Sequence, residues 1–117
     1  MDQYTNFLAG DIQVDVNERI EKQLQENKVL LYMKGTPDFP QCGFSGQTVM
    51  ALKSLGRPFA YVNIFEDPEI REGLKKYSNW PTFPQLYVNG ELIGGCDIVV
   101  EMYHSGELEQ LLSDGAA

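Results

Sequence analysis

Gln85-Leu86-Tyr87-Val88-Asn89-Gly90-Glu91-Leu92-Ile93-Gly94 decides the fold. Two short runs of strand-forming residues flank Asn89-Gly90, the strongest short hairpin signal a sequence carries. Upstream, Val29-Leu30-Leu31-Tyr32-Met33 is a continuous apolar run suited to a strand buried on both faces. Phe59-Ala60-Tyr61-Val62-Asn63-Ile64 reads as a further strand. Between these two lies a helix that carries Val49, Leu52 and Leu55 and stops at Gly56, with Pro58 beyond. The intervening helix makes the two strands parallel. The sheet is therefore mixed, a parallel βαβ half followed by an antiparallel hairpin.

Working outward, residues 1–14 show no clean period and are expected to be a mobile lead-in. Asp15 and Glu18 resemble a capping box for a helix with the stripe Val16, Ile20, Leu24. Asp67-Pro68-Glu69 is a strong helix start, with Ile70, Leu74 and Tyr77 as its buried stripe. Asp97 is expected to cap a last helical region through Met102 and Tyr103, with a further turn around Leu108, Leu111 and Leu112. The order α-β-α-β-α-β-β-α is that of a thioredoxin-like α/β fold, a four-stranded mixed sheet flanked by helices. One domain is expected over 15–112, with 113–117 as a C-terminal tail. In this arrangement a cysteine opening the helix after the first strand marks the active site.

A length of 117 residues suffices for one core, and 43% hydrophobic content argues against disorder. A formal charge of −8 makes nucleic acid and anionic membranes poor partners. No apolar run approaches the ~18 residues that cross a bilayer. The first residues lack the basic start and apolar stretch of a signal peptide. The first basic residue, Arg19, comes too late for an organelle transit peptide. Two cysteines, Cys42 and Cys96, do not make a disulfide scaffold, so the expected location is cytoplasmic.

Cys42-Gly43-Phe44-Ser45 places one thiol between the first strand and its helix, where a helix N-terminus favours a thiolate. Lys34 ends the strand on the same long, Pro-rich loop, Lys34 to Gln41, and lies within reach of that thiolate. A buried structural cysteine is the alternative, set against by the loop residues Pro40, Gln41, Gly43 and Ser45 around it. Ser45 stands where a dithiol motif has its second cysteine. A mixed disulfide on Cys42 then needs an external thiol for release, and no vicinal disulfide competes with metal ligation. Ser45 also fits as an ordinary first-turn residue. In Trp80-Pro81-Thr82-Phe83-Pro84, a cis Phe83-Pro84 bond leaves the Phe83 backbone free to pair with an extended peptide, whereas two trans prolines make only a turn. Gly94-Gly95-Cys96-Asp97 offers close backbone approach and a helix start, with Cys96 read as a packing residue rather than a second catalytic thiol. His104 reads as solvated, and one His with two Cys cannot close a zinc site in one chain.

Through Met33-Lys34-Gly35-Thr36-Pro37, Pro40-Gln41-Cys42-Gly43-Phe44-Ser45, Trp80-Pro81-Thr82-Phe83-Pro84-Gln85 and Gly94-Gly95-Cys96-Asp97, the chain resembles the monothiol glutaredoxins of the Cys-Gly-Phe-Ser type. The resemblance implies glutathione beside Cys42, its glycine carboxylate held by Lys34 and Arg71. It implies pairing of the cysteinyl unit with the Phe83 backbone before cis-Pro84, next to Thr82. Cys96 and Asp97 would meet the γ-glutamyl end, with Lys75 assisting from one turn beyond Arg71. It also implies a [2Fe–2S] cluster bridging a homodimer, with Cys42 as each chain's ligand. Four thiolates are the usual complement, here two Cys42 and two glutathiones. The function implied is cluster transfer to iron–sulfur apo-proteins, with BolA-like proteins as heterodimer partners. The alternative is a glutathione-dependent thiol oxidoreductase working by a one-cysteine mechanism.

Overall fold

The computed structural model describes residues 16–116, so the lead-in at 1–14 and Asp15 of the capping box lie outside the described residues. Residues 16–26 are helical (α1). There follow β1 Val29–Met33, α2 Gly43–Ser54, β2 Ala60–Asn63, α3 Pro68–Ser78, β3 Gln85–Val88, β4 Glu91–Gly94, α4 Cys96–Ser105 and α5 Glu107–Ala116. The sheet runs β2-β1-β3-β4. β1 pairs with β2 in parallel, from Leu30 opposite Ala60 to Met33 opposite Asn63. β3 is antiparallel to both β1 and β4. Asn89 and Gly90 take φ of 52° and 81°, the backbone of the tight hairpin turn that their pairing predicts.

The continuous apolar run of β1 has a simple cause. Every residue of it is buried, and successive side chains enter opposite layers. Val29, Leu31 and Met33 join Val49, Leu52 and Val99 under α2 and α4. Leu30 and Tyr32 join Ile20, Ile70 and Leu74 under α1 and α3. The fold is the thioredoxin-like one expected, and no described helix is long and apolar enough to cross a membrane.

Four expectations need correction. Tyr77 is not part of the buried stripe of α3: it is 39% exposed, and Ile70 and Leu74 are the buried residues of the helix. Asp97 is not the N-cap of α4, because extended Gly95 takes that place and accepts Val99 N–H at 3.0 Å. The closing region is two helices, since Gly106 adopts φ 86° and returns its N–H to the Tyr103 carbonyl, ending α4. Finally, α5 continues to Ala116 through residues read as a tail. Leu108 and Leu112 anchor it, and Arg57 Nη2 donates to Ser113 Oγ at 2.6 Å.

Candidate functional site

The loop after β1 is pinned at several points. Gly35 N–H donates to Asn63 Oδ1 at 3.0 Å, and Gln41 N–H returns to the Lys34 carbonyl at 2.9 Å. Thr36 and Phe39 bond each other's backbone at 3.3 and 3.0 Å, and Lys53 on α2 pairs with Asp38 at 3.2 Å. Gly35 has φ 92°, and a Cβ there would lie 2.6 Å from the Phe39 carbonyl oxygen and 2.7 Å from the Gln41 nitrogen. Only glycine fits that crossing.

The loop delivers Cys42 to the N-cap of α2 in extended conformation, half-buried, with no side-chain cap bond. Burial acts to raise the thiol pKa. The N–H groups of Ser45 and Phe44, the Ser45 hydroxyl and the Lys34 charge act against it and prevail, so Cys42 lies below the ordinary thiol range. Ser45 is fully buried, and its Oγ accepts the Lys34 N–H at 3.1 Å. It thus ties the end of β1 to the start of α2 while facing the thiol, which is more than a first-turn residue does.

A groove of about 420 Å³ opens beside the thiol's helix. Lys34 and Phe44 line it together with Thr82, Phe83, Pro84, Cys96 and Asp97, while Cys42 itself does not. The Phe83-Pro84 bond is cis. Neither Lys34 nor Asp97 has an ion-pair partner of opposite charge among the described side chains. Cys96 is 7% exposed, and its Sγ donates to Gln47 Oε1 at 3.5 Å. Burial pushes its thiol up; Asp97 and Cys42 push the same way, and only the Thr48 hydroxyl opposes them. It is a protonated packing residue. Arg71 and Lys75 do not line the groove. Lys75 is paired with Glu72 at 3.2 Å, whereas Arg71 keeps a buried Nε without a partner. His104 is exposed, as expected.

Sequence reasoning missed three contributors. Trp80 and Ile98 line the groove, the latter 37% exposed at the start of α4, where an apolar residue reads as core. Asn63 carries no site signal within its predicted strand. Its Oδ1 accepts from both Gly35 and Phe65 N–H, so it braces the thiol's loop. An Asn at a strand end is a recognisable turn-former, but its long-range bond has no local signal.

Removing the Lys34 charge favours the protonated thiol. Lys34→Gln is therefore expected to move the pH inflection of Cys42 alkylation upward, slowing iodoacetamide reaction at pH 7. An unmoved inflection would leave the helix N–H groups and Ser45 as the whole cause.

A family model described as Glutaredoxin matches residues 29–93. Glutaredoxin 4 of Escherichia coli strain K12 is 61% identical over 100 residues, covering 86% of this chain and 87% of that protein. The solution structure of reduced poplar apo GrxS14 superposes with a TM-score of 0.78 at 52% identity, over 91% of this chain and 97% of the other. A buckwheat glutaredoxin–glutathione complex has the same fold, with a TM-score of 0.81 at 20% identity over 92% and 96%.

Proposed function

The chain belongs to the glutaredoxin family, a monothiol member by its Cys42-Gly43-Phe44-Ser45 motif, and from that premise we propose that it binds glutathione and carries a bridging [2Fe–2S] cluster as a homodimer. Transfer of that cluster to apo-proteins, in iron–sulfur assembly and iron homeostasis, is the activity that follows. The observation that carries the reading is the thiol inventory. Cys42 is accessible with a lowered pKa, Ser45 is buried where a partner thiol would stand, and Cys96 is buried and protonated.

The donor set fits the cluster. Among the described residues no three Cys, His, Asp or Glu side chains converge to hold a metal ion, and one chain offers one ready thiolate. A four-thiolate cluster then draws on two chains and two glutathione thiols. The groove suits glutathione by charge, since an extended peptide with two carboxylates and one ammonium finds both a cation, Lys34, and a carboxylate, Asp97, in its lining. In this reading the Phe83 backbone pairs with its cysteinyl unit. Arg71, unpartnered at Nε, supplies a second cation, while Glu72 already occupies Lys75. BolA-like proteins are heterodimer partners in the same reading.

Reconstitution with iron and sulfide, followed by visible absorption and gel filtration, is the test. Colour and a doubled mass are expected only when glutathione is present. Colour without glutathione, or on a monomer, would contradict the ligand set. One observation favours a second reading: the lowered Cys42 pKa also suits a nucleophile that accepts glutathione from mixed disulfides. Rapid deglutathionylation by protein that takes up no cluster would establish that alternative.

A further inference from the structure

Gln85 opens β3 fully buried and takes no part in lining the groove. Its Nε2 donates to the Trp80 carbonyl at 3.1 Å and the Thr82 carbonyl at 3.2 Å. Its Oε1 accepts from the Tyr87 hydroxyl at 3.0 Å. Only the amide nitrogen can donate to two carbonyls, so these bonds determine which way the amide is turned. Both carbonyls lie outside the strand ladder, on either side of Pro81, and one side chain satisfies them together. The brace is itself anchored. Tyr87 is 2% exposed and meets Tyr32 edge-on, ring centres 5.6 Å apart, and the Tyr32 hydroxyl donates to Gln23 Oε1 at 2.8 Å on α1. Two hydrogen-bonded pairs, Gln23–Tyr32 and Gln85–Tyr87, thus meet through the edge-on ring contact in the core, linking α1 to the segment behind the groove.

We propose that Gln85 is a positioning residue, its buried amide setting the course of Trp80–Pro84 and so the wall along which glutathione lies. The proposal rests on the glutathione reading above. Gln85→Glu keeps the shape and the acceptor but removes both donors, leaving two buried carbonyls unserved. At pH 8 the variant, compared with the unaltered protein by NMR titration with reduced glutathione, is expected to bind roughly tenfold more weakly. Burial raises a carboxyl pKa, and a neutral carboxyl regains one O–H donor. At pH 6 the ratio of the two affinities is therefore expected to recover. The phenols of Tyr32 and Tyr87 are held above their ordinary range by burial and stay protonated throughout.

Failure of the unaltered protein to bind glutathione at either pH would defeat the underlying reading. Equal binding by both proteins, or a loss of the same size at both pH values, would overturn the role of Gln85 alone. If Gln85→Glu does not fold, Tyr87→Phe takes its place, removing only the hydroxyl that donates to the amide oxygen. It is expected to weaken glutathione binding and to shift the Trp80, Thr82 and Phe83 amide NMR resonances, and no change in either overturns the proposal.

Discussion

Cys42→Ser is expected to abolish both the visible colour and the dimer on reconstitution, with the fold intact. A serine hydroxyl stays protonated at neutral pH, so each chain loses its single ready thiolate and the four-thiolate set falls to the two glutathiones. Stability should barely move. Cys42 is half-buried and makes no side-chain cap bond, and serine is a preferred N-cap residue able to accept from the free N–H groups of α2. A melting temperature at or above that of the unaltered protein, together with complete loss of colour, separates ligand loss from unfolding. Colour that survives the change would remove Cys42 from the ligand set.

The second large effect is expected at Gly35, far less conspicuous than the cysteine. A methyl group there meets backbone atoms at 2.6 and 2.7 Å that no side-chain motion can clear, on a residue with φ 92°. Strain of this kind costs about 2 kcal/mol or more, so Gly35→Ala should lower the melting temperature by roughly 8 °C or more. Relief of the clash must shift the crossing of Lys34–Gly35 with Phe39–Gln41. That shift withdraws the Lys34 amide from Ser45, loosens the groups that hold the thiolate, and raises the Cys42 pKa. Iodoacetamide reaction at pH 7 should slow in step with the stability loss. A variant with ordinary stability and an unchanged thiol would mean that the loop accommodates the methyl group elsewhere.

The fold was legible wherever its cause is local. The β1 run, Asn89-Gly90 and the Asp67-Pro68 helix start each carry their instruction within a few residues, and Asp67 Oδ1 accepts Ile70 N–H at 3.2 Å as a cap does. The start of α4 was not legible, because Gly95 and Asp97 are both acceptable caps and the choice depends on where β4 releases the chain. The motifs of the candidate site were legible in the same local way. What tied them together was not. Ser45 reaching Lys34, Asn63 reaching Gly35 and Gln85 reaching Trp80 are side chain–backbone bonds formed only once the sheet exists. Arg71, assigned by resemblance to the ligand's carboxylate, lies outside the groove wall, a placement set by the way α3 packs rather than by any motif.

The pinned loop from Lys34 to Gln41 has an entropic consequence. A mobile loop of eight residues would lose its freedom when a ligand arrived, and that loss would subtract from affinity. Here bonds from Asn63 on β2 and from Lys53 and Ser45 on α2 restrict it from two neighbouring elements before any ligand is present. The ordering of the loop therefore falls on folding, and a principal cost left for association is desolvation of the two unpaired charges that line the groove, Lys34 and Asp97.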